Sequence, residues 1–259
     1  MPEIKPATSS LDIPPTATIL GIKVHALTNA HTLILIEAFI ASGQPHQLVT
    51  VNPEFVVETQ HDAEFRQIIN NAALAMPDGI GVLKAARFLG TTPLPERVAG
   101  SDLVVRLAEL SHRKGYRIYF LGAQPGVAEQ AIAKLRQRYP NLQVAGAYAG
   151  SPALTENEAI VERILPTHPD ILLVAYGAPR QDKWIARNLE RLQIPVALVW
   201  AARLTLSPGH SSALLWLQRL GLEWFHRLLT QPWRWRRIWN AVPRFSWLVL
   251  RSRFSGKKL

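Results

Sequence analysis

Two spacings of apolar residues alternate along this chain. Short runs rich in β-branched and aromatic residues, such as "ILGIKVHAL", "HQLVTVNP", "YRIYFLGAQPG", "LQVAGAYAG", "DILLVAYG" and "PVALVWAA", read as buried strands. Between them lie segments whose apolar residues recur every three or four positions, the spacing of one helix face. "NAHTLILIEAFIASG" predicts a helix with Thr28 or Asn29 near its N-cap and Gly43 at its end. "EFVVETQHDAEFRQIINNA" reads as one helical segment, "AALAMPDG" as a short strand and "IGVLKAARFLG" as a helix ending at Gly90. The loop "TTPLPERVAGSD" feeds the helix "LVVRLAELSHRKG". "VAEQAIAKLRQRYP", "TENEAIVERILPTH" and "KWIARNLERLQ" complete the helices of the body. Strict alternation with short links predicts an α/β fold: a Rossmann-like, mainly parallel sheet flanked by helices. Ligands in such folds sit at the carboxyl ends of strands, where the loops begin.

Both ends of the chain break the alternation. Residues 1–17 are rich in Pro, Ser and Thr and read as a flexible tail, without the basic start and apolar run of a secretory signal. From Ala213 onward the apolar faces widen, with Arg219, Glu223 and Arg227 at helical spacing. Pro232 is able to open a further helix, and "VPRFSWLVLRSRF" is a third amphipathic piece. The expected organisation is therefore a tail (1–17), an α/β domain (18–212) and a C-terminal amphipathic helical appendage (213–259).

Charge sharpens that division. The net charge is +10, yet ten of the 29 Lys/Arg and only one of the 19 Asp/Glu lie in 213–259, so the first 212 residues are nearly neutral. Six of the eight tryptophans also lie in the appendage. Tryptophan among headgroups and arginine against anionic lipid suit a membrane surface. A basic tail also suits nucleic acid, but the body carries no recognition motif and the tryptophans sit on wide apolar faces, so no nucleic-acid partner is expected. No apolar run reaches the roughly 18 residues of a spanning helix. There are no cysteines, which excludes disulfides and thiolate metal sites. The eight histidines show no paired spacing and there is no G-x-S-x-G elbow, so neither metal nor cofactor is expected.

Several strand ends carry polar residues. The first gives Thr28 and Asn29, and "MPDG" gives Asp78. The loop after the next helix gives Glu96, Arg97, Ser101 and Asp102. "LGAQPG" gives Gly122 and Gly126, and "YGAPRQD" gives Gly177, Arg180 and Gln181. Glycines before a helix N-terminus let backbone N–H groups approach a phosphate. The spacing here matches neither the dinucleotide fingerprint nor a P-loop, and a tight strand-to-helix turn reads equally well. Arg97 and Arg180 can clamp phosphate oxygens or stand as solvated charges. Thr28, Asn29, Ser101, Asp102, Gln181 and Asp182 all suit helix caps, and Asp78 suits a turn.

Taken together and in order, "LTNA", "VTVNPEFVV", "MPDGIGV", "PERVAGSDL", "YFLGAQPGVAEQA", "LLVAYGAPRQDKWI" and "RLGLEWFHRLLTQPWRWRR" resemble the WecG/TagA/CpsF family of bacterial glycosyltransferases over about residues 18–250. The resemblance implies an inverting transfer from a UDP-sugar, N-acetylmannosamine or a related hexosamine, to a polyprenyl-diphosphate-linked sugar acceptor in cell-surface polysaccharide or teichoic acid synthesis. It implies Asp78 as general base, beside Thr28, Asn29, Arg97 and Gln181. It also implies Arg219, Arg227, Arg234 and Arg237 on the donor diphosphate, with work at the inner face of the plasma membrane. Homo-oligomer formation stays open.

The segment "LVWAARLTLSPGHSSALLW" departs from the family's glycine-rich G-V-G-[GA]-x-F-D-F. Trp200, Ala201 and Ala202 take the place of glycines, and Leu204 that of an aspartate. Trp200 and Ala201 are expected to fill space that close backbone approach needs. The alternative reading is a non-catalytic family member that binds a nucleotide sugar or a partner enzyme at the membrane.

Overall fold

The structure, a computed structural model, describes residues 12–200 and 239–255. Six strands form one parallel sheet: β3 (His46–Val51), β4 (Leu74–Pro77), β5 (Ile118–Gly122), β6 (Val144–Tyr148), β7 (Ile171–Ala175) and β8 (Val196–Val199), in the order β4-β3-β8-β7-β5-β6. The expected α/β architecture is therefore present. One difference lies at the start. "ILGIKVHAL" is not a single strand but a hairpin, β1 (Thr16–Ile19) with β2 (Ile22–His25), closed by Leu20 and Gly21, both at positive φ. Two such residues give the turn that matches strand twist. The first strand thus begins at Thr16, within the segment read as tail.

Alternation within the strands assigns the two faces of the sheet. Leu48, Met76, Phe120, Leu173 and Leu198 join one apolar layer with α1 (Asn29–Ser42), α5 (Gly100–Lys114) and α6 (Val127–Arg138). On the other face, Leu121, Leu172, Val174 and Ala197 pack with α7 (Leu154–Ile164) and α8 (Arg180–Leu192). Val49, Val51 and Ala75 pack there with the hairpin, α2 (Pro53–Glu58), α3 (Ala63–Asn71) and α4 (Ile80–Leu89). Each fully buried Leu, Ile or Phe contributes roughly 1.5–3 kcal/mol, so this two-sided burial dominates the fold's stability. It also explains why the strands read as nearly continuous apolar runs.

The segment read as one helix after β3 is two. Asn52 caps α2 by accepting from the Phe55 N–H, and Asp62 caps α3 by accepting from the Phe65 N–H, each at 2.9 Å. Two separate caps stop one helix and start another. α5 starts at Gly100, earlier than expected, so Ser101 and Asp102 lie in its first turn and neither caps it.

The last described helix, α9 (Phe245–Phe254), follows a π-helical turn (Asn240–Arg244) and packs on α2 and α4. Phe245 and Val249 join the hairpin's apolar layer. Gly81 lets α4 close on the start of α2, since a Cβ there would lie 2.8 Å from Pro53 Cγ.

Candidate functional site

β5 and β7 are neighbours, yet their connections leave toward opposite sides. α6 leads outward to β6, and α8 leads inward to β8. A crevice opens where connections diverge in this way, at the carboxyl ends of the strands. Its rim is built from the two expected glycine loops. At Gly122 (φ 91°) a Cβ would lie 2.8 Å from the Ala175 carbonyl, and the Ala123 N–H donates to that carbonyl at 2.9 Å, so strand ends β5 and β7 meet backbone to backbone. Gly126 caps α6 from the exposed end of the same turn.

Across the crevice, Gly177 leads into α8. Gln181 Oε1 accepts from the Gly177 N–H at 2.9 Å, and the Gln181 N–H donates to the Gly177 carbonyl at 3.1 Å. Gln181 is 8% exposed, so its amide is spent holding this loop. Arg180 is exposed, and its guanidinium folds back toward Gly177, 3.7 Å from where a Cβ would stand.

The other candidates gather at the sheet's far edge. β4 ends in Pro77, whose carbonyl accepts from the Val98 N–H at 2.7 Å, and the Asp78 N–H donates to the Val51 carbonyl at 2.8 Å. These bonds bring the 91–99 loop over the strand end. Arg97 Nε lies 3.5 Å from Asp78 Oδ1, with 33 and 27% of the two side chains in water. The cleft is open here but crowded. Burial pushes the Asp78 carboxyl above its ordinary range, Arg97 and the Gly100 N–H pull it back, and Asp102 adds a smaller upward push.

Thr28 and Asn29 flank this edge. Thr28 caps α1, its hydroxyl accepting from the His31 N–H at 3.1 Å. Asn29 is committed to the Arg97 loop. Its backbone N–H and its Nδ2 donate to the two oxygens of Glu96 at 2.8 and 2.6 Å, and Nδ2 also reaches the Arg97 carbonyl at 3.2 Å. The structure thus brings Thr28, Asn29, Asp78 and Arg97 together, and Gly122, Gly126, Gly177, Arg180 and Gln181 together. The two groups are three strand spacings apart from β4 to β7, about 14 Å. Arg219, Arg227, Arg234 and Arg237 lie outside the described residues, as do Ala201, Ala202 and Leu204.

Two residues stand in settings that their sequence reading did not specify. Trp200 is 3% exposed, and its indole packs edge-on against Phe120 in the α5–α6 layer, centroids 5.4 Å apart, with Nε1 directed at the Leu121 carbonyl. It joins the core layer at the strand ends of β5, β7 and β8. Asp182, which suited a cap, is fully buried in the first turn of α8, and neither carboxylate oxygen has a hydrogen-bond partner among the described residues. Burial raises its carboxyl to about 7. The signal in the sequence is its position directly before Lys183-Trp184-Ile185, where the helix turns inward to the core.

Among the described residues no group of three His, Asp or Glu could hold a metal ion. Two surface depressions of about 650 and 610 Å³ lie at the opposite end of the sheet, around Pro195 and around His46, and contain none of the candidate residues.

Residues 17–259 match the glycosyl transferase WecG/TagA/CpsF family. The chain is 31% identical over 209 residues to the N-acetylglucosaminyldiphosphoundecaprenol N-acetyl-beta-D-mannosaminyltransferase of Bacillus subtilis (strain 168), covering 80% of each chain. It is 31% identical over 246 residues to the protein of the same name from Staphylococcus aureus (strain NCTC 8325 / PS 47), covering 93% of this chain and 94% of that one. Motifs, fold and similarity over nearly the whole length converge: this chain belongs to the WecG/TagA/CpsF family of glycosyl transferases.

Proposed function

We propose that the chain is an inverting glycosyltransferase that moves N-acetylmannosamine or a related hexosamine from a UDP-sugar to a sugar on a polyprenyl diphosphate. The observation that carries this reading is the Asp78–Arg97 pair at the end of β4, on the same carboxyl edge of the parallel sheet as the glycine loops after β5 and β7. The lipid-linked acceptor and the N-acetylmannosaminyl group are drawn from the relatives' names.

In this mechanism the acceptor hydroxyl oxygen attacks the anomeric carbon as the bond from that carbon to the UDP oxygen breaks. Ionised Asp78 takes the hydroxyl proton, and the departing UDP carries away the bonding electron pair. The nucleoside end lies across the crevice with its diphosphate toward Asp78, where Arg180 and the α8 N-terminus offer positive charge and N–H donors. A span of about 14 Å between crevice and base matches an extended nucleotide sugar lying along the strand ends.

The membrane reading rests on α9. Trp247, Leu250 and Phe254 are exposed on it by 56, 46 and 81%, beside Arg251 and Arg253. The Arg251 guanidinium lies 5.3 Å from the Trp247 ring centroid. Exposed aromatics beside arginines suit an anionic bilayer surface. No described helix is long and apolar enough to cross a membrane. The proposal is thus a peripheral enzyme on the inner face of the plasma membrane, with residues 18–212 as transferase domain and 213–259 as its attachment.

The test is a transfer assay on the full chain with a polyprenyl-diphosphate-linked N-acetylglucosamine acceptor and a panel of UDP-sugars. A product with inverted anomeric configuration, formed fastest from UDP-N-acetylmannosamine or a close relative, is expected. No transfer from any donor, with UDP still bound, would instead favour the binding-only reading.

A further inference from the structure

Glu96 was visible as a loop carboxylate, but nothing in its spacing indicates what it does. In the structure its two oxygens are both occupied by one residue. Oε2 accepts from the Asn29 N–H at 2.8 Å and Oε1 from Asn29 Nδ2 at 2.6 Å. Asn29 is the first residue of α1, so its N–H is one of the donors that the helix itself leaves unpaired, at the positive end of the helix dipole. A carboxylate 67 positions away in the chain closes that end.

The same contact fixes Arg97. Asn29 Nδ2 also donates to the Arg97 carbonyl at 3.2 Å, and the next N–H, that of Val98, donates to the Pro77 carbonyl at 2.7 Å. Residues 96, 97 and 98 are therefore tied in succession to α1 and to the end of β4. The 91–99 loop has no helix or strand of its own, so these bonds hold its backbone where Arg97 stands beside Asp78.

We infer that Glu96 is a positioning residue: by clamping Asn29 it holds Arg97 against Asp78 and so sets the charge beside which the base works. This rests on the reading of Asp78 as base. Among the described residues, the charged side chains acting on Asp78 are Arg97 from the loop and Asp102 from α5, of opposite sign. Arg97 pulls the Asp78 carboxyl down against burial. A loosened Arg97 therefore leaves Asp78 protonated to higher pH.

The experiment is the pH dependence of kcat in the full chain for wild type, Glu96→Gln and Asp78→Asn, with saturating UDP-sugar and lipid-linked acceptor. Glu96→Gln keeps the shape but weakens the acceptor and turns an amide N–H₂ against Asn29. Its acid limb is expected to move up by about one unit, since an opposite charge at this range lowers a carboxyl by roughly 1–3 units. At pH above both limbs its rate is expected to return to within a few-fold of wild type, a recovery that a merely loosened fold would not give. An acid limb identical to wild type, in a variant with an unchanged melting curve, overturns the role of Glu96. Full activity in Asp78→Asn instead overturns the reading of the base, whatever Glu96 does. Should Glu96→Gln not fold, Glu96→Asp carries the same test, because it keeps the carboxylate but draws it back by one methylene from both Asn29 donors.

Discussion

Arg97 reaches across from the loop before α5 to stand 3.5 Å from Asp78 at the end of β4, so that base candidate and guanidinium form one charged unit. Asp78→Asn keeps the turn and its backbone bonds but removes the proton acceptor. Transfer is expected to fall by roughly 10²–10⁴-fold, the usual contribution of a positioned acid or base. UDP affinity, measured by calorimetry, should stay within a few-fold. In the wild type the group must be ionised to act, and burial has raised its carboxyl. Activity should therefore be lost as pH falls, at a higher pH than an ordinary aspartate would give.

The β5–β7 contact tolerates no side chain at Gly122. Alanine there combines φ 91° with a Cβ 2.8 Å from the Ala175 carbonyl. Strain of this kind costs on the order of 1–3 kcal/mol. Gly122→Ala should lower the urea midpoint and weaken UDP binding together, because the same turn supports both. Gly115→Ala is a useful control. It also has a positive φ, 82°, but nothing stands near its Cβ, so it should lower stability without touching UDP affinity.

Asp182 makes stability depend on pH with a definite sign. Its folded carboxyl sits at about 7 against an ordinary 3.8, so the unfolded chain releases this proton first. Its contribution to stability is thus intact below pH 4, falls as pH rises from about 4 to 7, and then levels off. The full effect is roughly 4 kcal/mol at most. Asp182→Asn should melt higher than wild type at pH 8, and the difference should vanish near pH 4. Equal melting temperatures at both pH values would show that the carboxylate has found a partner.

α9 offers a separate handle on attachment. Trp247→Ser with Phe254→Ser replaces exposed aromatics while leaving buried Phe245 and Val249 in place. Co-sedimentation with anionic vesicles should drop several-fold without a change in melting temperature. Truncation near Ala213 should abolish it. Full vesicle binding by the truncated chain assigns attachment to the body instead.

Much of this was legible in the sequence because it is local. Strand and helix spacings gave the alternation, and the turn residues at Asp78, Gly122 and Gly177 marked the strand ends that bear the candidates. What escaped was set by distant partners. The segment from Glu54 to Ala72 reads as one helix, yet the side-chain cap at Asp62 divides it. Asn29 suited a helix cap, but its amide serves a carboxylate on another loop. Asp182 suited a cap for the same chemical reason, and only the packing of α8 against the sheet turns it inward. Trp200, expected to fill space at the strand ends, does so against Phe120, a partner 80 positions away.

The strand order separates two doorways. β4 is an outer strand of the six-stranded sheet, while β5 and β7 are inner ones. A soluble nucleotide sugar entering over the inner strands and a lipid-borne acceptor entering past the outer one would not compete for a single entrance. Neither would have to leave before the other loads. Initial-rate kinetics should then show intersecting, sequential patterns rather than the parallel lines of a ping-pong cycle, as a one-step displacement on a shared ledge of strand ends requires.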